Sequence, residues 1–347
     1  MAGSINDVLV QLKAIELMAE DPTFLWDMLV DDKGAVNEGE VIWDFRKGAL
    51  DNLAPFVAED VGGVTMERDG FETRSIKFPT LAPQRIVEKD MIMQRGFGEV
   101  VYGGKTPEQR ARELVAKDLK FLKRAITFRL EWMVAELLTT GKLTLPTYTQ
   151  DGVLKSSQVA DFKFTNSAAA TVKWDQPTAD IYADLIDMYD QVVDGLGTVD
   201  AMIMAPDVAA AMLNNEAFLK KYDIRSLNVG SLAPKYVKAP GVRYMGVTSD
   251  GVELYSYSRK YVGEDGQVKP FIPAKHIYSV SKKMFRAYFG PVTLIEREGA
   301  PFRTYVAREV PFRNSYPGSN TEVQRVYSRP VIMPYNVDGW AARTVLS

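Results

Sequence analysis

The longest regular pattern of apolar positions in the chain lies between Thr106 and Gly141: Val115, Leu119, Leu122, Ile126, Leu130, Met133 and Leu137. Gaps of three and four residues place all seven on one stripe of a helix. Glu113, Lys117, Lys120, Arg124 and Glu131 fall between them and are assigned to the solvated face. Thr106 is the expected N-cap. Pro107 suits the first helical position, because its missing N–H has no helical partner there, and Gln109 is placed to close a capping box. Gly141 is the expected terminator, since glycine turns left-handed without steric cost. At the usual helical rise, residues 107–140 make a rod roughly 50 Å long. Two architectures fit such a rod: the long core helix of a globular domain, or the spine of a flat, extended subunit.

Ahead of this helix, Val8, Leu9, Leu12, Ile15 and Leu17 have a helical rhythm that Pro22 interrupts, and Phe24, Leu25, Trp26, Met28 and Leu29 form a dense apolar patch. Val41–Phe45 reads as a strand. Leu53–Pro83 is an extended stretch that turns at Asp69-Gly70, the dipeptide that favours a tight two-residue hairpin. Counting outward from that turn pairs Arg68 with Phe71, Met66 with Thr73 and Val64 with Ser75. Polar residues interrupt both faces, and an isolated two-stranded hairpin is marginal in water. The hairpin is therefore expected to lie on something else, either its own domain or a neighbour.

After the helix, residues 142–173 read as strands and turns, and Pro177–Gly195 as a second helix with Ile181, Leu185, Met188 and Val192 on one stripe. Val199–Met204 is a short buried strand, and Pro206 opens a helix to Leu213. Val242–Val247 and Val252–Tyr257 form a hairpin, and Tyr261–Phe271 turns at Asp265-Gly266. Ile277–Val280, Val292–Glu296 and Val323–Met333 read as strands. The interleaving of helices and strands is an α+β pattern with long excursions.

Composition narrows the function more than the fold. A hydrophobic fraction of 46% and a charged fraction of 25% are those of an ordinary folded protein. The net charge of −3 does not imply strong nucleic-acid binding. With no cysteine there is no disulfide framework, thiolate metal site or cysteine nucleophile. Met1–Val10 lacks the basic start and apolar core of a signal peptide, and no apolar run approaches the length of a membrane span. Charge is unevenly placed. Residues 1–40 carry Asp7, Glu16, Glu20, Asp21, Asp27, Asp31, Asp32, Glu38 and Glu40 against Lys13 and Lys33, whereas residues 275–347 are basic. Arm and tail are thus expected either to meet, within one subunit or between two, or to stay apart as solvated surfaces.

Few residues offer chemistry. Gly96-Phe97-Gly98-Glu99-Val100 superficially matches a phosphate-covering glycine loop, so a nucleotide-binding enzyme using Gly96–Gly104 is one alternative. A long helix follows almost at once, however, and neither a His-Arg-Asp nor an Asp-Phe-Gly is present. The single histidine, His276, cannot build a metal cluster alone and reads as structural. No Gly-x-Ser-x-Gly or His-Glu-x-x-His occurs. Lys117, Lys120, Lys123 and Arg124 make a basic patch, read as the solvated face of the helix or as a sequence-blind phosphate contact. No catalytic residue, metal site or cofactor is assigned.

The order of segments resembles the major capsid proteins of tailed phages, and specifically the lambda-type major capsid protein E family. The resemblance is carried by Leu53–Lys89 followed by Met91-Ile92-Met93-Gln94-Arg95, and by Leu137-Leu138-Thr139-Thr140-Gly141-Lys142. Val172-Lys173-Trp174-Asp175 with Asp180-Ile181, and Ile203-Met204-Ala205-Pro206-Asp207, continue it. Tyr261, Pro270-Phe271-Ile272-Pro273 and Tyr288-Phe289-Gly290-Pro291 complete it. It implies an HK97-like capsid fold. Its parts would be an N-terminal arm (1–52), an extended loop or E-loop (53–83) and a peripheral domain (84–176) with the spine helix. An axial domain (177–310) and C-terminal strands (311–347) returning to the peripheral domain would follow. The loop tip would be Arg68, Asp69, Gly70 and Phe71. The implied function is a self-assembling, non-catalytic shell of hexamers and pentamers around double-stranded DNA, built in the host cytoplasm. Implied partners are further copies of the chain, a portal and the packaged DNA through non-specific contact. Because the chain begins near the arm, a separate scaffolding protein is expected, and a decoration protein is a further candidate. An encapsulin-like compartment is the close alternative.

Overall fold

The computed structural model describes residues 8–18, 21–45, 72–94, 105–149, 153–195, 197–218, 239–248, 250–296, 299–316, 318 and 320–347. The arm holds α1 (Val8–Leu17), α2 (Leu25–Leu29) and β1 (Val30–Ala35). Then come β2 (Glu40–Phe45), β3 (Glu72–Lys77), β4 (Gln84–Glu88), α3 (Lys89–Met93) and the spine, α4 (Pro107–Thr140). The chain continues through β5 (Lys142–Tyr148), β6 (Leu154–Asp161), β7 (Ser167–Ala169), α5 (Ile181–Asp194), β8 (Ala201–Met204) and α6 (Pro206–Asn214). Four short strands follow: β9 (Val242–Val247), β10 (Glu253–Tyr257), β11 (Lys260–Val262) and β12 (Val268–Pro270). The last part holds β13 (His276–Val280), β14 (Phe285–Phe289), β15 (Val292–Ile295), β16 (Phe302–Tyr305), β17 (Val310–Tyr316), β18 (Thr321–Tyr327), β19 (Pro330–Pro334) and β20 (Ala341–Thr344).

The spine forms where its apolar period and caps place it. The Thr106 side chain accepts the Gln109 N–H, the Gln109 side chain accepts the Thr106 N–H, and Gly141 closes the helix at φ +66°. Its stripe of Val115, Leu119, Leu122, Ile126, Leu130, Met133 and Leu137 is buried throughout. One continuous core runs from that stripe to the central strand β8, whose Ala201-Met202-Ile203-Met204 are all buried. A strand apolar on both faces belongs in the middle of a sheet, and β8 lies inside the six-stranded order β7-β20-β13-β8-β10-β9. A small second core joins Val8 of α1 to Val292, Val310 and Phe312.

Several elements differ from the sequence pattern, including β8, which starts at Ala201 and not Val199. The second helix starts at Ile181, not Pro177, because Asp180 accepts the Ala183 N–H and so caps the helix there. Val323–Met333 is two strands: β18 lies between β17 and β4, and the chain then turns at Ser328-Arg329 so that β19 pairs with β14. Val41–Phe45 does not stand alone. It is part of β2, which pairs with β3 from Glu40↔Lys77 to Phe45↔Glu72. The tail divides: β17 and β18 join β4 beside the spine, whereas β20 inserts between β7 and β13.

Candidate assembly site

The spine grips the arm with two charged side chains that the helical pattern assigned to water. Glu131 is 1% exposed. Its carboxylate accepts the backbone N–H groups of Phe24 (3.1 Å), Leu25 (3.0 Å) and Trp26 (2.8 Å), the orphan donors at the start of α2. Tyr257 donates its hydroxyl to the same carboxylate at 2.8 Å. Lys123, two turns earlier and 8% exposed, donates to the carbonyls of Ile15 (3.0 Å) and Met18 (3.2 Å) at the end of α1. A carboxylate at a helix start and an ammonium at a helix end both match the local backbone dipoles. Lys123 therefore leaves the basic patch. Arg124 reaches toward Asp21 (3.6 Å) but stays exposed, as do Lys117 and Lys120.

The acidic arm and basic tail meet within one subunit. β1 runs parallel to β14, Arg308 reaches Asp32 at 3.4 Å, and Lys283 donates to the Asp27 (2.9 Å) and Val30 (2.6 Å) carbonyls. The pair Asp31-Asp32 is thus partly neutralised, with Lys33 bound to Asp31. His276 is a strand residue: its Nδ1 lies 2.7 Å from the Ala274 carbonyl and its Nε2 lies 3.1 Å from the Thr344 hydroxyl.

The loop leaves from a packed base. Trp43 of β2 packs at a tilt against Phe162 (ring centroids 5.4 Å apart), Ile76 of β3 is buried, and Arg74 donates to the Asp161 carbonyl at 3.1 Å. Arg68, Asp69, Gly70 and Phe71, with Met66 and Val64, lie outside the described residues, as does the 96–104 glycine stretch.

A groove of about 690 Å3 runs along the spine, between Trp132 and Glu136 on one wall and β5 and the β11–β12 hairpin on the other. Glu264 spans it, bonding both Arg129 of the spine and Tyr148 of β5. Burial holds the Glu136 carboxyl above the ordinary carboxylate range, against the pull of the Thr144 N–H at 3.2 Å. Burial likewise pushes the Tyr278 hydroxyl up to about 12. Among the described residues, no group of three His, Asp or Glu side chains is arranged to hold a metal ion. No described helix is long and apolar enough to cross a membrane.

Many apolar side chains stay open in the single subunit. Val262 and Val268, paired across the β11–β12 hairpin, are 69% and 64% exposed, and Phe302, opposite Ile295 in the β15–β16 hairpin, is 73% exposed.

The chain superposes on a protein assigned as the capsid protein of a prophage in E. coli CFT073, with a TM-score of 0.67 and 18% identity, over 97% of this chain and 98% of that one. It also superposes on a phage-related protein from Bordetella bronchiseptica RB50, with a TM-score of 0.50 and 10% identity, over 96% of each chain. No curated protein sequence matches significantly. The architecture is the α+β, HK97-like capsid fold. The sequence profile of phage major capsid protein E matches residues 7–340. With nearly the whole chain inside that profile, this protein belongs to the phage major capsid protein E family, whose members build shells and are not enzymes.

Proposed function

We propose that copies of this capsid protein close into hexamers and pentamers, and these into an icosahedral head around packaged double-stranded DNA. The observation that carries the reading is the family match over residues 7–340. It favours a phage head over an encapsulin-like compartment, and it replaces the nucleotide-binding reading of Gly96–Gly104. The division into arm (1–52), E-loop (53–83), peripheral domain (84–176), axial domain (177–310) and returning strands (311–347) belongs to this proposal. So do a separate scaffolding protein, a portal, a decoration protein, non-specific contact with DNA and assembly in the host cytoplasm. On this reading residues 46–71 leave the β2–β3 base to reach a neighbouring subunit, with Arg68, Asp69, Gly70 and Phe71 among those touching it.

Two measurements test this. Light scattering and electron microscopy of the protein, alone and with its scaffold, should show closed particles; a monomer stable at high concentration contradicts the reading. Gly70→Val disfavours the positive φ that an Asp-Gly turn needs. If the loop clamps a neighbour, this variant melts like wild type but yields defective shells. Normal particles, or loss of folding together with assembly, reject the clamp.

A further inference from the structure

A second groove, about 270 Å3 in volume, opens at the edge of the six-stranded sheet, between α5 and the turn end of the β9–β10 hairpin. Tyr182, Leu185, Ile186 and Tyr189 of α5 face Met202 and Val252 across it. Ile186 is 40% exposed. Two carboxylates complete the rim, Asp190 on α5 and Asp250 in the hairpin turn, and no lysine or arginine lines the groove. Among the described residues neither carboxylate has an ion pair or hydrogen bond. Other aspartates of α5 are matched: Asp184 accepts the Trp174 indole N–H at 2.7 Å, and Arg343 reaches both Asp184 and Asp187. An aromatic and aliphatic trough with uncompensated negative charge favours basic side chains. Their alkyl stems pack on the trough while their heads meet the carboxylates.

The chain itself contains such a ligand. Residues 219–238 carry Lys220, Lys221, Arg225, Lys235 and Lys238 against the single acid Asp223, interleaved with apolar residues such as Tyr222, Ile224 and Leu227. This segment joins α6 to β9 and so meets that strand near Val242, whereas the groove lies at Thr248 and Asp250, the strand's other end. Six strand residues separate the two places, roughly 20 Å. The groove and the point where the segment joins β9 are therefore distinct places on one subunit. A contact between different patches of two copies is heterologous, and heterologous contacts close into rings when the rotation permits.

We infer that the groove between α5 and the β9–β10 turn receives the basic segment 219–238 of a neighbouring copy, head to tail around the capsomer. The inference rests on the shell reading above. It gives the ring a charge-matched contact independent of the 46–71 loop.

The absence of cysteine makes disulfide trapping clean. Ile186→Cys is combined in the full chain with Ser226→Cys, Asn228→Cys or Ser231→Cys, and the assembled protein is mildly oxidised. A covalent ladder rising to the ring size in at least one pair is the expected result. Cross-linking confined to single chains, or no ladder in any pair, overturns the inference. In a second experiment, Asp190→Lys with Asp250→Lys should lower particle yield at least tenfold while the thermal melt is unchanged. Adding Lys220→Glu, Lys221→Glu and Arg225→Glu should restore the yield. Unchanged yield in the first variant, or no restoration in the second, also overturns it. Wild-type protein that forms no oligomer at all rejects the shell reading instead, so the two failures are distinguishable.

Discussion

Glu131 of the spine accepts the Tyr257 hydroxyl at 2.8 Å while the same carboxylate holds the N–H groups of Phe24, Leu25 and Trp26. One buried anion thereby ties together three parts of the chain distant in sequence: the arm, the spine and strand β10. Burial raises the Tyr257 hydroxyl far above the ordinary tyrosine range, so it remains a donor at any physiological pH.

Removing this anion should be costly. Glu131→Ala strands three backbone donors and a phenol in the core, each orphan costing about 1–3 kcal/mol. Because neighbouring losses do not add in full, the expected total is about 3–5 kcal/mol, less than four separate orphans would give. Denaturant unfolding should show a loss in that range. A loss under about 1 kcal/mol would mean that water replaces the carboxylate.

Leu122→Asp should prevent folding and not merely assembly. Leu122 is 1% exposed, and an aspartate there is a buried charge without a partner. A soluble Leu122→Asp monomer with a cooperative melt would show that the stripe is an inter-subunit surface.

Gly141 and Gly251 separate backbone strain from crowding. Both have positive φ, +66° and +83°. A Cβ on Gly251 meets open space, while one on Gly141 sits 2.1 Å from the Phe164 Cβ. Gly251→Ala should cost about 1–2 kcal/mol, the left-handed penalty alone. Gly141→Ala should cost clearly more, since Phe164 is stacked on Trp340 at 4.4 Å and has little room to yield. Equal losses in thermal melts would reject the crowding argument.

Glu136 gives a pH dependence with a definite sign. Its native carboxyl binds a proton more tightly than the unfolded one, whose pKa is about 4.5. Between those values the native state holds more protons, so this residue's contribution falls as pH rises through the window. Glu136→Gln should melt at or above the wild-type temperature at pH 7. The difference between the two should shrink or reverse at pH 4. A variant less stable than wild type at pH 7 by the same margin as at pH 4 would contradict this.

The spine was legible in the sequence because every signal that defines it is local. The three-four period, the Thr106–Gln109 box and the Gly141 stop all act within a few residues, and the helix follows them. The same holds for the hairpin of β9 and β10 and for the short helix that Pro206 opens. The family resemblance rested on segment order, which is also a property of the chain.

Other features existed only in three dimensions. Glu131 and Lys123 fall outside the apolar stripe, and periodicity consigns such residues to water. They are buried because arm residues more than a hundred positions away fold over that flank and present unsatisfied backbone groups. Val41–Phe45 carried a strand signal without a partner, and only the tertiary fold brings Glu72–Lys77 beside it. The place of β20 between β7 and β13, and the union of the acidic arm with the basic tail, were beyond the sequence for the same reason. Charge and apolarity say that a segment needs a partner, but which partner is decided by long-range packing, where the cost of ordering the chain is set against the whole core at once.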